Sequence, residues 1–205
     1  NAFLSSGVPE SHLIPDESRD TLLRLHVNRP TPWGYRNEVY INLGTEEKTY
    51  LLDIATLESV FWQPIFSGSE KSENISNLKE NNGVSINVIG LERLCMVING
   101  LSRVQDIDYI RPFYEEMQGV IGRIDYHIGE NLRALHRLYS DMISYNIRLG
   151  RHQKQKLKSL RDKIPKSFDR QSLERLLKIH SEAQPWHENL VAGIYPTIEK
   201  LAQER

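Results

Sequence analysis

The sequence predicts an α+β protein: a small antiparallel sheet over residues 1–100, then a helical bundle over 101–205 built on one long helix. Three observations predict it. Before residue 100, apolar and polar residues alternate in short runs joined by connections that favour antiparallel pairing. After residue 100, the apolar spacing changes to three and four, the period of a helix. The two kinds of segment are also segregated along the chain, which separates α+β from an alternating α/β fold. At 205 residues, 39% hydrophobic and 26% charged, the chain is long enough to bury a real core.

Residues 1–20 are polar and turn-rich, with Gly7, Pro9 and Pro15, and read as an irregular arm. Residues 21–28 (TLLRLHVN) alternate as a half-buried strand does. Residues 29–36 (RPTPWGYR) are expected to form a loop, because Pro30, Pro32 and Gly34 interrupt regular pairing. Residues 38–43 (EVYINL) and 48–54 (KTYLLDI) form a hairpin around Gly44-Thr45-Glu46-Glu47. A short helix is expected from Thr56, ended by Pro64. Residues 67–83 are the most polar stretch and read as a loop or one short helix around Ile75 and Leu78. Strands follow at 84–89 (VSINVI) and 93–98 (RLCMVI), and Asn99-Gly100 turns the chain.

Ser102 with Gln105 makes a capping-box pattern, and the long helix runs from Pro112 to Leu149. Its stripe is Ile110, Tyr114, Met117, Ile121, Ile124, Ile128, Leu135, Leu138, Met142, Tyr145 and Leu149. Pro112 suits the first turn and Gly150 the stop. Such a helix spans roughly 57 Å at about 1.5 Å per residue. That length calls for several partner helices or a second copy of the chain, a homo-oligomer through 112–149. Gly119, Gly122 and Gly129 each cost about 1 kcal/mol relative to alanine inside a helix. Gly122 and Gly129 share a face, which leaves two readings: close approach by another helix, or a break near Gly129. A short helix covers 151–163 and stops at Pro165. Asp169 caps a helix through Ala183 with stripe Leu173, Leu176, Leu177 and His180. The last helix is expected to start at Pro185, bury Trp186, Leu190, Ile194, Ile198 and Leu201, and kink at Pro196.

The formal net charge of −1 conceals an asymmetry. Residues 1–100 carry 8 basic and 13 acidic side chains, a net of −5, and 101–205 carry 18 and 14, a net of +4. Residues 148–178 alone hold 11 basic against 3 acidic, a net of +8. Arg148, Arg151, Lys154, Lys156, Lys158, Arg161, Lys163 and Lys166 surround only Leu157, Leu160 and Ile164 there. A helix cationic on most of its circumference attracts phosphates, whether of nucleic acid or of anionic lipid. It also suits an acidic protein, or a plain solvated face. Aromatic residues are sparse in the stretch, so stacking on bases is not supported.

A second feature is Arg175-Leu-Leu-Lys-Ile-His180. It resembles the arginine, four residues, histidine motif of HEPN-type ribonucleases, which are helical bundles. The resemblance implies metal-independent RNA cleavage by Arg175 and His180. It covers six residues, and Leu176 stands where that family often has a polar residue. His180 also lies on an apolar stripe, so a core histidine beside a surface arginine fits the same spacing.

The strand pattern places Arg24, His26, Asn28, Glu38, Tyr40 and Asn42 on one sheet face, a candidate ligand platform beside an exposed Trp33. A solvated sheet face explains the same pattern. No metal is expected: no His and Cys residues have zinc spacing, and His127 and His136 lie on opposite sides of the helix. No cofactor is expected either, because phosphate-binding and dinucleotide glycine fingerprints are missing. Cys95 is the only cysteine and sits in an apolar run, as a buried inert thiol would. The Asn74-Ile75-Ser76 sequon matters only in a secreted protein. No apolar run reaches the roughly 18 residues of a membrane span, and a cytoplasmic location is expected.

These observations lead to a non-catalytic intracellular interaction module. Its basic helical surface, about 148–178, would bind an anionic partner: nucleic acid, acidic lipid or acidic protein. The alternative is the metal-independent ribonuclease using Arg175 and His180.

Overall fold

The computed structural model describes residues 2–15, 22–24, 32–45, 47–71 and 74–203. The fold is α+β, a four-stranded antiparallel meander followed by helices. The chain divides into two compact units, residues 1–94 and 95–205.

The first unit opens with one helical turn, α1 (Ala2–Ser5), and a 3-10 turn at Glu10–His12. The strands are β1 (Leu22–Arg24), β2 (Trp33–Asn42), β3 (Leu51–Phe66) and β4 (Ile75–Ile89), in the order β1-β2-β3-β4. The hairpin lies where the alternation puts it, with Tyr40 opposite Asp53. Asn42 ends β2 because its Oδ1 accepts from the backbone N–H groups of Gly44 and Tyr50.

Three expectations here are corrected. Residues 56–64 are the middle of β3 and not a helix, since Val60, Phe61 and Trp62 favour a strand and β2 and β4 supply partners on both sides. Pro64 is tolerated because it lies beyond the last β2 pair, Trp33 with Trp62. The polar stretch before Gly83 is β4, whose pattern is that of an exposed strand paired on one side, among the described residues, to β3. Residues 93–98 belong to helix α2 (Leu91–Ile98), because a short apolar run fits either period. Gly34 and Gly83 reach the bulged centre of β3 from its two sides. A Cβ on either would run into backbone, the Ser59 carbonyl or the Val60 carbonyl.

In the second unit a 3-10 turn at Val104–Asp106 leads into α3 (Arg111–Ile121), with Pro112 in its first turn. The expected single helix over 112–149 is two helices. Gly122 takes the left-handed conformation (φ 73°) and its N–H closes α3 on the Gln118 carbonyl. Asp125 then caps α4 (Tyr126–Ser144), its side chain accepting from the Ile128 N–H. Gly129 is a site of close approach and not a break, for the Tyr114 ring of α3 lies where its Cβ would stand.

Three further helices follow, α5 (Arg151–Arg161), α6 (Arg170–Ala183) and α7 (Asn189–Gln203). Asp169 caps α6 as its position predicts, its carboxylate accepting from the Ser172 N–H. Helix α7 starts at Asn189 and not at Pro185, and it runs on through Pro196. The core is Phe113, Tyr114 and Met117 of α3; Leu132, Leu135 and Tyr139 of α4; Leu173, Leu176 and Leu177 of α6; and Leu190, Ile194, Ile198 and Leu201 of α7. Helix α4 packs mainly on α7, where Gly193 lets the Ser140 side chain reach the α7 backbone.

Candidate functional site

Helix α5 lies on the surface, held by little. Gln153 caps it, its Oε1 accepting from the Gly150 N–H at 2.8 Å. Leu157 and Leu160 are half-buried, and α5 packs on α4. The Arg161 side chain is only 12% exposed, beside Asp162 at 3.6 Å and hydrogen-bonded to the Tyr139 hydroxyl. It anchors the helix and is therefore set apart from the other seven basic residues. Arg148, Arg151, Lys154, Lys156, Lys158, Lys163 and Lys166 are all exposed. Within the described residues, no ion pair or side-chain hydrogen bond engages the first six of these.

Arg175 and His180 leave α6 in different surroundings. Arg175 is exposed and bridges to Glu116 of α3 at 3.1 Å. His180 is 4% exposed, its Nδ1 lies 3.0 Å from the Nδ1 of His136, and its ring rests near Phe113. His136 in turn is 2.8 Å from the Leu190 carbonyl through Nε2. A carbonyl only accepts, so Nε2 of His136 carries a proton, and neutral His136 accepts at Nδ1 from the Nδ1–H of His180. Burial lowers the His136 pKa to about 4. Burial, reinforced by the neighbouring positive charge, lowers that of His180 to about 2. Both imidazoles are neutral members of the core.

Trp33 is corrected from exposed to buried: it is 8% exposed, in β2, with its ring edge on Phe66. Tyr40 is exposed on the sheet, Glu38 accepts from the Thr56 hydroxyl and Asn42 serves its turn. Arg24 belongs to β1; His26 and Asn28 lie outside the described residues.

The sequence reading missed a polar cleft of about 250 Å³ in the helical unit, lined by Arg137, Tyr145, Trp186, His187, Glu188 and Asn189. Asp141 organises one wall: it accepts from Arg137 Nε at 3.0 Å and from the Asn189 carboxamide. Arg137 Nη1 is buried with no acceptor. The Trp186 indole is 54% exposed and meets Tyr109 edge-on at 5.7 Å. Burial and the Arg137 charge lower the His187 pKa, against an opposing pull from Asp141. The signal was four aromatic or polar residues in a row after Pro185, which the helical stripe absorbed.

No family model matches the chain, and neither does any curated protein. Among the described residues, no cluster of His, Cys, Asp and Glu is placed to hold a metal ion. No described helix is long and apolar enough to cross a membrane.

Proposed function

We propose that this protein is a non-catalytic module that grips the phosphate backbone of nucleic acid through α5 and its flanks. The observation that carries this reading is the set of six exposed cations without a partner among the described residues: Arg148, Arg151, Lys154, Lys156, Lys158 and Lys163. Each cation that neutralises a phosphate releases condensed counterions, which drives binding and makes it salt-dependent. Two further points support nucleic acid over a lipid surface. An interfacial helix needs an apolar face to bury among acyl chains. Here Leu157 and Leu160 are half-buried where α5 packs on α4, and the exposed positions of α5 are polar or cationic. Helix α5 also carries no Phe, Tyr or Trp for stacking on bases, so backbone recognition without sequence preference is the expected mode. The burial of His180 supports the non-catalytic part of the reading.

The test is anisotropy of a labelled RNA or DNA duplex with the wild type and with a Lys154→Glu, Lys156→Glu, Lys158→Glu, Lys163→Glu variant. These side chains are exposed, so the variant should melt with the wild type. The duplex affinity should fall by about 100-fold or more, and the RNA should stay full length throughout. Equal binding by the two proteins contradicts the reading, as does binding of phosphatidylserine vesicles without binding of the duplex. RNA cleavage that is lost with His180→Ala while the helical circular dichroism is kept also contradicts it.

A further inference from the structure

The two halves of β4 treat their free edge differently. Over 75–83 the edge is blunted. Lys79 and Glu80 are exposed charges, and residues 81–83 bulge out of register with β3. The N–H groups of Leu78 and Asn82 are taken locally, by the Oδ1 atoms of Asn77 and Asn81, each at 2.8 Å. Over 84–89 (VSINVI) these devices are missing. The run holds no charge and no proline, and it pairs with β3 without a register shift. Among the described residues, no side chain caps its N–H groups.

The ladder with β3 sets which backbone groups are open. The Gly90 N–H donates to the Ile54 carbonyl at 2.8 Å, and the next pair is Ile89 opposite Ala55. In an antiparallel ladder, positions that bond the neighbour alternate with positions that do not. Val84, Ile86 and Val88 therefore turn their backbone groups to β3, and Ser85, Asn87 and Ile89 turn theirs outward. Among the described residues, these outward groups meet no partner. A row of alternating N–H and C=O groups is the template for another strand. The side chains beside it, Val84, Val88 and Ile89, are exposed, so the strand that fits is uncharged and apolar.

We infer that residues 84–89 pair antiparallel with the same residues of a second copy of this chain, across a two-fold axis at Asn87. In that register the strand is its own complement. Ser85 lies opposite the copy's Ile89 and Asn87 opposite the copy's Asn87, so every outward N–H meets an outward C=O. Between them Ile86 lies opposite the copy's Val88, a pair of β-branched side chains of the kind that stabilises a ladder. No charge on 84–89 meets a like charge. The contact consumes the open stretch of both copies, so it closes at two. A six-residue strand pair is a small contact, below the roughly 1,200 Å² of a standard interface, and the dimer is correspondingly weak.

The test uses the whole chain. Sedimentation equilibrium from about 5 to about 500 µM should show the mass rising from one chain towards two. Over the same range, NMR should show amide exchange slowing at Ser85, Asn87 and Ile89, whereas Val84, Ile86 and Val88 are already protected in the monomer. Asn87→Lys and Asn87→Glu each set like charges face to face across the axis, and each should weaken dimerisation by about tenfold or more. An equimolar mixture of the two variants should regain the dimer. Asn87 is exposed, so both variants should melt with the wild type. A wild-type mass of one chain at about 500 µM, a dimer that both charged variants leave intact, or a mixture that stays monomeric would overturn the inference. So would a monomeric chain that takes up the synthetic 84–89 peptide, since the edge would then belong to a strand of another protein. Duplex binding through α5 rests on other residues and is untouched by any of these results.

Discussion

In the middle of the helical unit, His136 and His180 share one hydrogen bond that only a single arrangement of protons satisfies. A proton added to His136 would face the Nδ1–H of His180, with Arg133, Arg137 and His187 as further positive neighbours of His180. The sign of the pH dependence follows. Both folded-state pKa values lie below the unfolded value near 6.5, so the pair's stabilisation is complete above about pH 6.5. As the pH falls toward 4, the unfolded chain takes up protons that the folded chain refuses, and stability is lost. Each imidazole contributes about 1.4 kcal/mol per pH unit in that range. Urea denaturation between pH 6.5 and 5 should show this slope, and His180→Leu should roughly halve it. The variant should also lose about 1–3 kcal/mol at pH 7.5, because Nδ1 of His136 loses its donor. An unchanged slope would mean that the pair is not buried as described. The sequence placed His180 on an apolar stripe correctly. It could not show the partner, because His136 lies 44 positions earlier on another helix.

At the level of elements, three glycines that look alike in sequence have three different jobs. Gly122 holds a positive φ and ends α3, Gly129 seats the Tyr114 ring, and Gly119 faces open space. In one continuous helix, all three would gain from alanine. In this fold only Gly119→Ala should stabilise, by about 0.5–1 kcal/mol. Gly122→Ala should cost about 1–2 kcal/mol, the strain of a left-handed residue with a Cβ. Gly129→Ala should cost about 1–3 kcal/mol through overpacking. Thermal melts of the three variants check this ordering, and stabilisation by Gly122→Ala would restore the continuous helix. The break also explains the misplaced stripe. Periodicity carried on from α3 correctly selects Ile128 and Leu135, which are buried, but it also takes Leu138 and Tyr145, which are exposed, and passes over Leu132 and Tyr139, which α4 buries. The Asp169 cap and the hairpin at Asn42 were legible because their signals are local. Strand β4 was legible over 84–89 but not over 75–83, where polar residues on both faces leave no alternation to read.

For the whole molecule, the α+β class was legible because strands and helices occupy separate stretches of the chain, and that survives errors in individual elements. The basic stretch was also legible as charge. Sequence alone could not separate Arg161, which is committed to Tyr139 and Asp162, from its exposed neighbours. Nor could it assemble the cleft, whose residues come from α4 and from a turn more than forty positions later. The central claim is that the exposed cations of α5 meet phosphates directly. The most direct measurement is the salt dependence of duplex affinity for the wild type and the four-lysine reversal. The logarithm of the affinity should fall linearly with the logarithm of salt concentration, by about 0.9 for each phosphate neutralised. If all four lysines meet phosphates, the reversal should flatten the slope by about 3.6 on the same basis. A wild-type slope near zero, or one that the reversal leaves unchanged, would contradict the claim.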